Sequence, residues 1–288
     1  MLAALAAREF DVHASARHAN VARSGTRVTW HSCDLLSAEE ARRLVISIKP
    51  DIVVHCAWVT EHGAYWTSAQ NLDWVMSTLT LIAASQSAGA SRFVGVGTCA
   101  EYAWGNAEPL QETRSTLQPS TLYGVAKDAT RRLCEAFAQQ SGMSFAWTRV
   151  FFLYGASEQP NRFISSLARA LVRGEPASMS SGIAVRDFMD ARDAGGAIAA
   201  VADSPICGAI NIGTGVGTTL RSAGETLARL AGKPELLRLN ALPDRPSDPA
   251  VLVANVQRLT QEIEFRPSIS LERGLQDALD YWRKEAGL

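Results

Sequence analysis

The sequence predicts an α/β fold: a doubly wound parallel sheet followed by a smaller C-terminal lobe. Three observations predict it. Short β-rich runs alternate with helix-length patterns over the first two-thirds of the chain. Several of those runs are apolar without alternation, as in strands covered on both faces. After about Tyr154 the rhythm changes to helical segments separated by Pro- and Gly-containing loops. The expected division is therefore residues 1–154 for the sheet domain and 155–288 for the lobe, with some lobe segments returning to the main sheet.

The elements can be taken in order. Leu2 to Arg8 reads as the end of a helix, and Val12 to Ala16 as a strand. Arg27 to His31 is the next strand, then Ala38 to Ile48 a helix. Asp51 to Cys56 is a nearly continuous apolar run, followed by a helix from about Asn71 to Ala88. Arg92 to Gly97 is a further buried strand. Leu122 to Gln140 is helical, and Ser144 to Val150 closes the series. Strands joined by helices of this length imply right-handed crossovers and a ligand site beyond the carboxyl ends of the strands. In the lobe, Gly155 to Asn161 and Leu242 to Pro249 are loops, and Gly208 to Ile212 is expected to rejoin the main sheet.

Composition narrows the class. The 288 residues carry a formal net charge of -1, so nothing in the balance supports a nucleic-acid partner. No run approaches about 18 uninterrupted apolar residues, so no membrane span is expected. The apolar start lacks the basic segment of a signal peptide, and Glu9 and Asp11 follow at once. The five cysteines (Cys33, Cys56, Cys99, Cys134 and Cys207) are scattered, without a CxxC pair. They read as small buried apolar residues in a reducing, cytoplasmic protein, and no metal site is expected.

The chemistry-bearing signal is Tyr123-Gly124-Val125-Ala126-Lys127. Residues four apart share one face of a helix. An ammonium beside a phenol favours the phenolate and lowers its pKa, which suits proton transfer near neutral pH. The spacing alone also fits ordinary helix-surface pairing. Upstream, a strand ends in Gly97-Thr98, which puts the Thr98 hydroxyl where ligands bind in this architecture. Thr98 reads equally as a turn or helix cap.

These motifs recur in linked order. The run Gly95-Val96-Gly97-Thr98 with Glu101-Tyr102 precedes Pro119 to Lys127, then Arg149 to Gly155. Val185 to Asp190, Asn211-Ile212-Gly213-Thr214-Gly215 and Arg266-Pro267 to Trp282 follow. The chain resembles the extended short-chain dehydrogenase/reductases, the NAD-dependent epimerase/dehydratase type that modifies nucleotide-sugars, over nearly its whole length. The resemblance implies a Rossmann-like fold with Tyr123 as acid/base and Lys127 lowering its pKa and contacting the nicotinamide ribose. It puts Thr98 in the place of the family's Ser/Thr. Asp34 and Leu35 would meet the adenine, and Cys56 and Ala57 would also line the cofactor. Trp58, Asn161, Arg186 and Arg245 would face the substrate. Arg186 suits a phosphate, and an ion pair with Asp187 or Asp190 suits it equally.

Such a fold opens with a strand, a glycine-rich turn and a helix that cradles pyrophosphate. The first strand and the glycine loop have no counterpart in the sequence. Three explanations stand open: a start placed too late, upstream residues beyond the sequence in hand, or a protein that lacks the loop and binds dinucleotide weakly or not at all.

Departures from the family pattern shape the activity. Cys99 and Ala100 stand where the dehydratases carry an acidic pair, which disfavours dehydration; Glu101, one place further on, is expected to face away. Ser15-Ala16-Arg17-His18 carries no carboxylate, so Arg17 could accept a 2′-phosphate and favour NADP, with NAD possible. A solvated surface role for Arg17 is the alternative. The loop Ala57 to Trp66 is rich in aromatics, fitted either to substrate stacking or to packing. His55 falls inside a buried strand and reads as a hydrogen-bonded core histidine. The leading expectation is an NADP-dependent keto-sugar reductase. The alternatives are a nucleotide-sugar epimerase and a catalytically silent scaffold. A homodimer through the helices at about 71–88 and 122–140 is implied by the resemblance.

Overall fold

A computed structural model describes residues 1–18, 27–105, 108–246 and 248–288. In chain order the elements are α1 (Leu2–Ala6), β1 (Val12–Ala16), β2 (Val28–Ser32), α2 (Ala38–Ile48), β3 (Ile52–His55), α3 (Gln70–Ser87) and β4 (Arg92–Thr98). A short 3-10 turn, Cys99–Glu101, follows. Then come α4 (Leu122–Ser141), β5 (Ser144–Val150), β6 (Phe152–Tyr154), α5 (Phe163–Arg173), β7 (Ala177–Ser178) and β8 (Val185–Asp190). The rest are α6 (Ala191–Ala202), β9 (Gly208–Ile212), β10 (Gly217–Thr219), α7 (Leu220–Leu230), β11 (Leu237–Arg238), β12 (Val251–Leu252) and α8 (Leu271–Glu285).

The main sheet runs β3-β4-β5-β9, all parallel. β1 and β2 pair in parallel as a separate two-stranded unit. A cavity of about 340 Å³ lies between β1 and β3, lined by Val12 to Ser15 on one side and Ile52 to Cys56 on the other. Period-two alternation sorts side chains to two faces. Phe93, Phe145 and Trp147 pack with Val45, Leu81, Ile82 and Cys134 under α2, α3 and α4. Val94, Ala146 and Ile210 pack on the other face with Ala197, Ile198 and Val201 of α6. This is the doubly wound core that the apolar strand runs predict.

The lobe differs from its predicted helical character. β8 carries β10 antiparallel and both β12 and β6 parallel, a second small sheet. Strands of two or three residues leave little period to read. β9 joins β5 in the main sheet, as expected for Gly208 to Ile212. Among the described residues no helix is long and apolar enough to cross a membrane. Cys33, Cys99 and Cys134 are buried, but Cys56 and Cys207 are exposed, because each sits just beyond a strand end or in a loop.

Candidate active site

The site begins with β4. Gly95 and Gly97 face the Trp147 ring, and a Cβ at either would collide with it. The strand ends at Thr98, whose hydroxyl accepts a hydrogen bond from the Ala100 N–H at 3.2 Å and caps the following turn. The capping reading of Thr98 is thus met, and the Thr98 side chain also acts on Tyr123, pulling the phenol pKa down.

α4 delivers Tyr123. Thr121 caps the helix by accepting from the Gly124 N–H at 3.1 Å. Gly124 is needed here, because a Cβ would collide with the Ala100 carbonyl oxygen. That close approach seats Tyr123 beside Thr98. Its ring meets Tyr65 edge-on at 4.9 Å and Trp66 at 5.7 Å, and its backbone N–H donates to the Trp66 carbonyl at 3.2 Å. Replacing Gly124 by Ala should part Tyr123 from Thr98 and cut turnover more than it cuts the melting temperature, which kinetics and a thermal melt on one preparation would check.

Lys127 is 4% exposed and donates to the Val96 carbonyl at 2.7 Å. Burial lowers its pKa to about 7, against an opposing pull from Glu101. Its ammonium is directed at that carbonyl and at the Trp58 face, 3.8 Å from the ring centroid, rather than at the Tyr123 phenol. Burial pushes the Tyr123 phenol above its ordinary value, and the Thr98 side chain pulls the other way.

Five of the predicted cofactor residues line two neighbouring cavities, while Tyr123 and Lys127 line neither. Arg17, Asp34, Leu35 and Ala57 line one cavity of about 170 Å³ with Ser15, Trp58 and Trp74. Cys56 and Ala57 line the neighbouring larger cavity. Asp34 accepts from the Leu36 N–H at 3.0 Å, and its own N–H donates to Glu40. A cavity with a guanidinium, a carboxylate and apolar walls fits the adenosine end of a dinucleotide.

The predicted substrate residues divide. Trp58 is buried, its indole N–H given to Asn71 Oδ1 at 2.8 Å, so it packs under the site instead of offering an open stacking face. Asn161 and Arg245 are exposed. Arg245 and Arg162 act together on His62 and Tyr65, which places both cations beside the aromatic loop. Arg162 escaped sequence reasoning because its position as the first residue before α5 carries no motif. Arg186 is buried and ion-paired to Asp248 at 2.7 Å, and it donates to the Val185 and Pro249 carbonyls. The expected partners Asp187 and Asp190 are engaged elsewhere. Asp187 accepts from Thr214, Gly215 and Ala254, and Asp190 from Arg192.

Glu101 does not face away. It is fully buried, accepting from Thr98 N–H at 2.9 Å, Trp147 Nε1–H at 2.9 Å and Arg149 Nε–H at 2.8 Å. The T-x-x-E spacing of a capping box was the signal for it. Gln159 joins the aromatic loop to the lobe, donating to the Thr60 carbonyl and accepting from the His62 N–H, both at 3.2 Å.

His55 is the core histidine expected, hydrogen-bonded to Thr78 at 3.0 Å. Burial lowers its pKa from 6.5 to about 3, with Lys127 adding to the effect. Between those values the unfolded chain binds a proton that the folded chain refuses, so stability falls as pH falls through this window. At about pH 5 this group alone should contribute a slope of roughly 1.4 kcal/mol per pH unit. Denaturant midpoints from pH 4 to 7 should show that slope, and His55→Asn should flatten it.

Comparisons with known proteins agree with this geometry. A UDP-glucose 4-epimerase of Rhizobium leguminosarum bv. trifolii is 27% identical over 259 residues, covering 82% of this chain and 78% of that protein. The solved structure of MoeE5 in complex with UDP-glucose and NAD is 26% identical, with a TM-score of 0.82 over 98% of this chain and 93% of that one. The UDP-glucose 4-epimerase of Thermotoga maritima has a TM-score of 0.86 at 21% identity, over 98% and 94%, which shows the shared fold. The profile of the NAD dependent epimerase/dehydratase family matches residues 1–213, and the chain belongs to that family.

Proposed function

We propose that this protein is a nucleotide-sugar epimerase that inverts a sugar carbon by oxidising and re-reducing it. The seating of Tyr123, at the start of α4, against the Thr98 end of β4 carries the reading. The UDP-glucose 4-epimerase similarity over most of the chain supports it over the reductase. A bound nicotinamide dinucleotide would supply the hydride acceptor and donor. Tyr123 moves the proton at the phenol oxygen: as the phenolate it takes the proton from the sugar hydroxyl, and as the phenol so formed it returns the proton to the ketone oxygen. Thr98 orients that phenol. Lys127, when protonated, supplies a positive charge one helical turn away. Arg245 and Arg162 lie where they can meet a diphosphate.

A keto-sugar reductase using NADPH is the second reading. Arg17 in the cavity with Asp34, at the end of a strand without a carboxylate, favours it. The raised pKa of Tyr123 also suits a proton donor. Titrating NAD(H) and NADPH separately by calorimetry, then adding UDP-glucose and, separately, a nucleotide-linked keto-sugar, discriminates between them. NAD retention with interconversion supports the epimerase. NADPH preference with net consumption supports the reductase. Neither ligand binding to a demonstrably folded chain leaves a truncated enzyme or a silent relative, between which adding an upstream segment decides.

The homodimer belongs to the same proposal. Leu72 and Met76 on α3, with Val125 and Leu133 on α4, are large apolar side chains left exposed. Sedimentation should give a dimer, and Leu133→Glu should shift it to monomer.

A further inference from the structure

We propose that Trp58 is a positioning residue for Lys127: its indole holds the ammonium on one side and walls the cavity of Arg17, Asp34 and Leu35 on the other. This rests on the proposed role of Lys127 in the reaction.

The geometry has three parts. First, the ammonium lies 3.8 Å from the Trp58 ring centroid, within the range of a cation–π contact, while one N–H goes to the Val96 carbonyl. Among the described residues no ion pair includes Lys127, so the ring face stands in for a carboxylate without neutralising the charge. Second, the ring is locked. Its N–H donates to Asn71 Oδ1, and Asn71, itself 0% exposed, donates to the Tyr65 and Ser68 carbonyls, each at 2.8 Å. Trp74 stacks near it, with centroids 6.3 Å apart and planes at 27°. Turning Trp58 would leave a buried donor and a buried acceptor unpaired, at a cost that opposes rotation. Third, Trp58 lines the cavity that gathers the predicted cofactor residues, whereas Lys127 does not.

The other groups facing Lys127 are few. Glu101, on the turn after β4, favours its charged form, as does the Cys56 thiol after β3. His55, at the end of β3, interacts with Lys127 but stays neutral above about pH 3. The Trp147 ring of β5 is further off, at 5.9 Å. Tyr123 is one turn earlier on α4 itself. The ring's negative face favours the ammonium, so replacing it with an apolar side chain that still excludes water should move the Lys127 titration down.

The test compares Trp58→Leu, which removes the face, with Trp58→Phe, which keeps one. Isotope-labelled lysine resolves Lys49, Lys127, Lys233 and Lys284 by NMR, independently of turnover. In Trp58→Leu the Lys127 midpoint should fall by about 0.5 to 1.5 pH units, and in Trp58→Phe by clearly less. The alkaline limb of the rate profile should move with it. An unmoved Lys127 midpoint in the folded Leu variant, with rates reduced evenly at every pH, overturns the proposal. Where the Leu variant does not fold, fluorinated tryptophan weakens the ring's negative face at constant shape, and the same downward shift is required. A shifted midpoint in a protein that converts no nucleotide-sugar refutes the proposed function and leaves the role of Trp58 intact.

Discussion

Tyr123→Phe is expected to lower turnover about a hundred- to ten-thousand-fold, the range lost when a positioned acid/base is removed. The fold should survive. The Phe ring keeps the edge-on contacts with Tyr65 and Trp66, and Thr98 keeps the Ala100 N–H as a donor. Dinucleotide affinity should stay within a few-fold, because the residues that line the cavity of Arg17 and Asp34 are untouched. The pH profile supplies a second check. A phenol with a raised pKa stays protonated at neutral pH and reaches its phenolate, the form that accepts a proton, only in alkaline solution. Oxidation of the sugar should therefore speed up with pH more than reduction does, and that difference should vanish in the Phe variant. Steady-state kinetics in both directions, with a melt of the same preparation, decides it. Unchanged turnover would move the chemistry away from the end of β4.

Glu101→Ala is expected to destabilise the protein by about 3–5 kcal/mol, the range for leaving one partner of a buried ion pair alone. Arg149 is 1% exposed and Glu101 fully buried, so water cannot take over the guanidinium. The substitution also orphans the Trp147 N–H and the Thr98 N–H. Arg149 keeps only its donation to the Tyr102 hydroxyl, at 3.1 Å. The melting temperature should drop on the order of 10 °C. Glu101→Gln, which retains an acceptor at nearly the same volume, should lose less. Because Glu101 fixes the backbone of Thr98, activity should fall in the Gln variant even below its melting transition. Denaturant titration of the two variants checks the first claim, and kinetics at low temperature the second.

Much of this was legible in the sequence, for physical reasons. β3, β4 and β5 are covered on both faces, so their apolar runs are continuous and their boundaries sharp. The helix α2 begins at the Ser37 cap, whose side chain accepts from Glu40 N–H, a start signal read directly from residue type. Thr98, Tyr123 and Lys127 were legible as local motifs, a hydroxyl at a strand end and a Tyr–Lys pair one helical turn apart. Contacts between distant segments were not visible. The pairing of Arg186 with Asp248 joins β8 to a loop far along the chain, and no local pattern announces it. The lobe's sheet was missed because β10 and β12 are too short to show a period. Trp58 reads from sequence as one loop aromatic among several, and only its lock onto Asn71 turns it toward Lys127.

The most direct test of the central claim uses UDP-glucose deuterated at the sugar C4, incubated with the dinucleotide-loaded protein and followed by NMR. The epimerase account predicts interconversion of the C4 epimers with deuterium kept at C4, no net change in the dinucleotide, and loss of the reaction in Tyr123→Phe. Absence of interconversion in folded, loaded protein would contradict it, as would steady net reduction of the dinucleotide by the sugar.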